Sequence, residues 1–236
     1  MPETTLTRLL PKLSLATIHT IGHSTRALDE LVAALQAHGI GTLVDIRSFP
    51  MSRRLPHFNR ESLQAELPKR GIAYVWMKEL GGRRKKIRDD SPHTGLRSDS
   101  FRNYADYMLT LEFEQAIARL LVITKETADS PAAGSGQVLQ RAEGKLLRAA
   151  AKDAPPPLGM TNERHVLPAG GRNTAIMCAE RLYFQCHRML VSDYLTAHGH
   201  TVMHIEDDKH PPRQHKLMAE AHLVNGQLLY NAQELF

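Results

Sequence analysis

Between Thr174 and Arg188 the chain reads TAIMCAERLYFQCHR, which gathers two thiols, a carboxylate, an imidazole and a guanidinium around one turn. Thr174 to Met177 is an apolar run of the kind that forms a fully buried strand, and the segment MLVSDYLTAHG that follows Arg188 has helical apolar spacing. This pattern predicts Cys186, His187 and Arg188 in a first helical turn. Free N–H groups and the helix dipole there stabilise an anion, favour a thiolate at Cys186, and leave Arg188 to grip a phosphate or carboxylate bidentately. The competing reading makes Cys186 a small buried packing residue and Arg188 an ion-pair partner of Glu180. Cys178, Cys186 and His187 together could suit a metal, but seven residues separate the thiols. The close cysteine spacing of structural zinc sites is absent, as is the CxxC of redox motifs, so no metal ligand is assigned.

Asp45 and Glu180 are the candidate acid/base pair: a carboxylate at a strand end is raised when desolvated or stays ionised beside Arg47. The alternative is that Asp45 simply pairs with Arg47. His23 and Ser24 are adjacent on an extended stretch, so they point apart and suit hydrogen bonds to a ligand better than a Ser-His catalytic pair. Leu80-Gly81-Gly82-Arg83 offers backbone N–H groups for an anion, followed by Arg84, Lys85, Lys86 and Arg88. It is not a P-loop, and GxGxxG is also absent. Tyr104 and other nearby rings offer stacking surfaces for a base, although Tyr104 with Met108 also has core spacing. Cys178, His187 and Arg188 join His23, Ser24, Arg47, Gly81, Gly82, Arg83 and Tyr104 as candidate ligand-binding residues; Asp45, Glu180 and Cys186 are the candidate catalytic ones. His204, His210 and His215 lie in or near a charged segment and receive no role.

These groups need a frame. Thr17–Gly22 reads as a first strand, 28–38 as a helix stopped by Gly39, and 42–46 as a second strand, a βαβ unit of about 30 residues. A helix from Arg60 to Lys69, a strand over 72–76, and one long helix from a cap at Ser100 to about Lys125 follow. Residues 126–173 carry scattered proline and glycine and read as an inserted loop segment. Strands over 174–177 and 201–205 flank the next helix, and 216–236 reads as helical with a turn or hairpin at Asn225-Gly226. The fold class expected is α/β: a mostly parallel, five-stranded, Rossmann-like sheet with helices on both faces. Residues 1–16 form an N-terminal arm, and 17–236 a single domain with the insertion. In strand order 3-2-1-4-5, the carboxyl ends of strands one and four would set His23 and Ser24 beside Cys178 and Glu180, at the switch-point crevice.

TIGHS, VDIRSFP, the LGGR loop, NYADYM and CAE followed by CHR, in this order, resemble the family catalogued as domain of unknown function 488. The resemblance covers about 17–125 and 174–210. It implies an α/β domain of bacterial or archaeal type with no assigned reaction, and 126–173 is an insertion relative to its pattern.

The chain has 236 residues, 42% of them hydrophobic, and a formal charge of +5. That permits a phosphate-bearing partner, and solubility alone explains it as well. Two cysteines make no disulfide framework, which fits a reducing cytosol. No signal peptide and no membrane span are expected. Oligomeric state and cofactor are not specified by any motif. The leading expectation is a cytoplasmic enzyme acting on a phosphate-bearing small molecule or nucleic-acid component, by hydrolysis or group transfer, with a glycosidic bond to a base as one attractive target. The alternatives are a non-catalytic nucleic-acid or nucleotide-binding module, and a thiol-redox or metal-binding protein.

Overall fold

The computed structural model describes residues 15–129 and 172–231. Five parallel strands form the frame: β1 (Thr17–Gly22), β2 (Ile40–Asp45), β3 (Ala73–Trp76), β4 (Asn173–Cys178) and β5 (Thr201–His204). A sixth, β6 (Arg213–Gln214), pairs antiparallel with β5. The sheet order is β3-β2-β4-β1-β5-β6. This corrects the expected 3-2-1-4-5 order: the crossover from β1 to β2 skips a strand position, and β4 fills it. Thr174, Ala175, Ile176 and Met177 are all fully buried, as a strand paired on both edges requires. The consequence is chemical, because the end of β4, carrying Cys178, lies between the ends of β1 and β2.

Helices cover both faces. α1 (Leu28–Ala37) and α2 (Arg60–Glu66) bury Leu31, Leu35 and Leu63 against Leu43, Ala175 and Met177. On the other face α3 (Asp99–Met108), α4 (Leu111–Asp129) and α5 (Arg188–Ala197) cover Ile18, Val44 and Ile176. The alternation Ala175, Ile176, Met177 between the two cores is the period-two signature of a strand buried on both sides.

Three elements differ from expectation. The single long helix after Ser100 is two, because Thr110 interrupts it: its Oγ1 accepts the Phe113 N–H at 3.3 Å while donating to the Tyr107 carbonyl at 2.7 Å, a side-chain cap that starts α4. The helix expected to reach Lys69 stops at Glu66, and Pro68–Arg70 is a 3-10 turn closed by Gly71 at φ 78°. The segment read as helical from 216 is a hairpin, β7 (Ala221–Val224) and β8 (Gln227–Tyr230). Its turn is Asn225-Gly226, both at positive φ, as a two-residue turn of the I′ type needs. Residues 1–14 of the expected arm, 130–171 of the expected insertion and 232–236 lie outside the described residues; α4 and β4 take the insertion's two flanks. Among the described residues, no helix is long and apolar enough to cross a membrane.

Candidate functional site

The site is built where β1, β2 and β4 end together. Past the last ladder pairs, His23 N–H donates to the Cys178 carbonyl (3.0 Å), Ser24 N–H to Ala179 (2.8 Å) and Ile46 N–H to Met177 (3.0 Å), so three chain exits stay in register. The backbone of Glu180 crosses directly over β1: a Cβ on Gly22 would stand 1.8 Å from the Glu180 carbonyl oxygen. Glycine is therefore obligatory at that approach, a physical reason for the glycine in TIGHS.

Cys186 lies in extended backbone after a 3-10 turn at Tyr183–Gln185, and α5 begins two residues later at Arg188. It is thus ahead of the helix rather than in its first turn. The first helical N–H still reaches it: Arg188 N donates to Cys186 Sγ at 3.4 Å, and Arg188 Nε does so at 3.3 Å. The rest of that guanidinium is spent inside, on Thr20 Oγ1 at 3.4 Å, the Arg181 carbonyl at 3.2 Å and the Glu180 carbonyl. Arg188 is 1% exposed, and among the described residues no carboxylate lies within ion-pair distance of it. A buried guanidinium without a counter-charge is costly, and the sulfur beside it is the group placed to supply one. The neighbouring Cys178 thiol, with the charge and N–H groups of Arg188, pushes the Cys186 thiol down against the opposing effect of burial. Cys178 moves the other way, raised by its proximity to Cys186 and by burial.

His187 faces the Cys178 thiol. Its Nε2 donates to the Ile46 carbonyl at 3.0 Å, which leaves the lone pair on Nδ1, 3.9 Å from Cys178 Sγ. Burial brings its pKa down to about 4, so the ring is a neutral acceptor. Gly82 packs on this ring, where a Cβ would come within 2.3 Å of Nδ1. Tyr104, fully buried, closes the other side at 5.1 Å between ring centres and donates its hydroxyl to Leu80. The Nδ1 of His187 and the sulfurs of Cys178 and Cys186 all lie within 4.8 Å of one another, which makes these three the residues that could hold a metal.

The neighbouring group is an ion pair with no spare capacity. Asp45, fully buried, receives the Arg47 main-chain N–H at 3.0 Å, Arg47 Nε at 2.9 Å, Arg47 Nη2 at 2.5 Å and the Tyr74 hydroxyl at 2.7 Å. Arg47 also donates to the Phe58 carbonyl (2.8 Å) and to His23 Nε2 (3.1 Å). His23 Nδ1 donates to the Ser24 carbonyl at 2.9 Å, and burial brings this ring down to about 4. Asp45, Arg47 and His23 therefore brace the crevice wall. Ser24, at φ 51°, turns the chain there. Glu180 is exposed, and what the site takes from it is its carbonyl.

The glycine loop is likewise occupied: Gly81 N–H bonds Lys78 O at 2.8 Å and Arg83 N–H bonds Ser48 Oγ at 3.0 Å. Arg83 is exposed above the Phe49 ring, Arg84 stacks 3.5 Å over Tyr107, and Lys86 pairs with Asp89.

Sequence reasoning missed a second buried chain of polar groups that ends on this site. Asp193 Oδ1 accepts from His215 Nε2 (2.8 Å), whose Nδ1 is 2.9 Å from His204 Nε2, and His204 Nδ1 is 2.8 Å from Thr20 Oγ1. Thr20 in turn receives Arg188. With Asp193 accepting from His215, every link has one consistent direction: Arg188 donates to Thr20, Thr20 to His204, His204 to His215, and His215 to Asp193. Met218 N–H and the Tyr230 hydroxyl also donate to Asp193, and Tyr183 stacks on His204 at 3.5 Å. A signal was present: Asp193 interrupts the apolar run of α5, and a buried helix carboxylate needs partners.

The fold and site define an α/β domain with a dithiol, an imidazole and a buried guanidinium at its central strand ends. Residues 27–128, the stretch from α1 into α4, match the family described as Domain of unknown function DUF488. Cys178, Cys186, His187 and Arg188 lie beyond the matched stretch. No curated protein and no solved structure matches the chain.

Proposed function

We propose that the protein is a thiol-redox protein whose Cys186 and Cys178 exchange electrons with disulfide substrates. The observation that carries this reading is the buried Arg188, which lends two N–H groups to Cys186 Sγ with a second thiol within 4.8 Å. Exposure does not rank the sulfurs, at 8% for Cys178 and 7% for Cys186. Hydrogen bonding does: Cys186 Sγ accepts from Arg188 N and Nε, which makes it the nucleophile, while Cys178 faces the neutral His187 Nδ1 and is the proton-bearing partner. The Cys186 thiolate attacks one sulfur of a substrate disulfide; the substrate S–S bond breaks, and the departing thiolate takes a proton from solvent. Cys178 then gives its proton to His187 Nδ1 and attacks the Cys186 sulfur. The Cys178–Cys186 bond forms, and the second substrate thiolate leaves with the proton from His187. The substrate is reduced to two thiols and the protein's dithiol is oxidised.

The phosphate-binding reading loses support, because Arg188, Arg47 and the loop N–H groups of Gly81 and Arg83 all have internal partners. To test the dithiol reading, the reduced protein is treated with oxidised glutathione and its peptides are mapped. A Cys178–Cys186 disulfide, reversed by a small dithiol, is expected; thiols that remain separate would refute it.

A further inference from the structure

We propose that the reduced site also binds one zinc ion, through Cys178 Sγ, Cys186 Sγ and His187 Nδ1, and that the ion masks the dithiol. The ion rests on geometry alone; its regulatory consequence rests on the dithiol reading above. Tetrahedral zinc with bonds of about 2.3 Å to sulfur and about 2.0 Å to nitrogen sets sulfur and nitrogen about 3.5 Å apart. Cys178 Sγ and His187 Nδ1 are 3.9 Å apart, so a shift of a few tenths of an ångström closes that edge. All three donors lie within 4.8 Å of one another on a strand end and the turn before α5.

The second observation is the imidazole's outer bond. Its Nε2 is committed to the Ile46 carbonyl, which fixes the ring and turns the Nδ1 lone pair inward, the arrangement that orients metal-binding histidines. Two thiolates and an imidazole select a zinc-like ion over calcium or magnesium, which require oxygen ligands. Asp45 is not a fourth ligand, since Arg47 and Tyr74 hold it. The fourth position falls to water or a ligand, since Cys178 and Cys186 are buried but retain 8% and 7% exposure. Arg188 bonds Cys186 from outside this set and partly offsets the charge of two thiolates.

A thiolate whose lone pair is bonded to zinc is a weaker nucleophile. Conversely, oxidation of both thiolates to a disulfide by a substrate disulfide removes two of the three ligands and releases the ion. Zinc occupancy and disulfide formation therefore exclude each other.

The reduced full-length protein is titrated with zinc against a chromophoric chelator, then with cobalt(II) to read sulfur-to-metal charge transfer. One ion per chain is expected, with a thiolate charge-transfer band. Cys178→Ser and Cys186→Ser should each lose the ion, while His210→Ala, at an exposed position, should keep it. Where a serine variant fails to fold, the wild-type chain decides: zinc must protect both Cys178 and Cys186 from alkylation. Failure to retain zinc, or retention unaffected by both serine variants, overturns the proposal. A glutathione-induced disulfide in a chain that takes no zinc leaves the dithiol reading standing and removes this one; zinc bound at these thiols with no disulfide ever formed does the reverse.

Discussion

Replacing Asp45 by Asn separates a structural role for this carboxylate from a catalytic one. The substitution keeps the shape of the side chain and removes its charge, which leaves the Arg47 guanidinium, 7% exposed, without a counter-ion. Breaking a buried pair by removing one partner costs about 3–5 kcal/mol. Burial opposes the charged state of Arg47, yet its pKa is raised, because the Asp45 carboxylate outweighs burial. At a urea dependence of about 2 kcal/mol per molar, the unfolding midpoint should fall by about 2 M. Adding Arg47→Met removes the stranded charge and should recover part of that loss, although His23 Nε2 and the Phe58 carbonyl then lose a donor. Urea denaturation followed by circular dichroism measures both variants. An Asp45→Asn protein as stable as the parent, but unable to form the Cys178–Cys186 disulfide, would show that the carboxylate takes part in the chemistry and that the structural assignment is wrong.

Gly82→Ala places a methyl group 2.3 Å from His187 Nδ1, so the ring or the loop must move. The cost should be about 1–3 kcal/mol by the usual range for overpacking, with slower disulfide formation, and an unchanged denaturation midpoint would refute the close packing. His204 and His23 are held neutral chiefly by burial, with pKa values brought down to about 3 and about 4. Both folded values lie below the ordinary 6.5, so their contribution is complete above pH 6.5 and is lost as pH falls toward those values. Each should give a slope approaching 1.4 kcal/mol per pH unit between about pH 6 and pH 4. His204→Phe should lower that combined slope by one histidine's share, about 1.4 kcal/mol per pH unit, whereas a parent stability constant over the same range would contradict the burial argument. Thr110→Ala removes the cap of α4 and should cost about 0.5–2 kcal/mol; no change in thermal stability would mean that the kink between α3 and α4 does not depend on Thr110.

The parallel frame was legible because β-branched runs such as TIHTIG and TLVDI are short, buried and separated by helical periods. The strand order was not, because nothing local records that β4 enters between β1 and β2; that is decided by long-range burial. Cys178, Cys186, His187 and Arg188 were found together because one strand and one turn carry them. Their roles were not readable: whether Arg188 faces a ligand or Cys186 depends on the carbonyls of Glu180 and Arg181 folding back over β1. The Asp193, His215 and His204 chain was invisible for a similar reason, since its members come from α5, the segment after β6, and β5, and meet only in the packed fold.

In the proposed reaction Cys186 attacks and Cys178 resolves. Cys178→Ser keeps a hydroxyl able to donate to His187 Nδ1 and removes the resolving sulfur. Treated with oxidised glutathione and read by intact-protein and peptide mass spectrometry, this variant should accumulate one glutathione on Cys186. The converse variant, Cys186→Ser, should leave Cys178 largely unmodified over the same time. Equal labelling of the two thiols, or faster labelling of Cys178, would contradict the account.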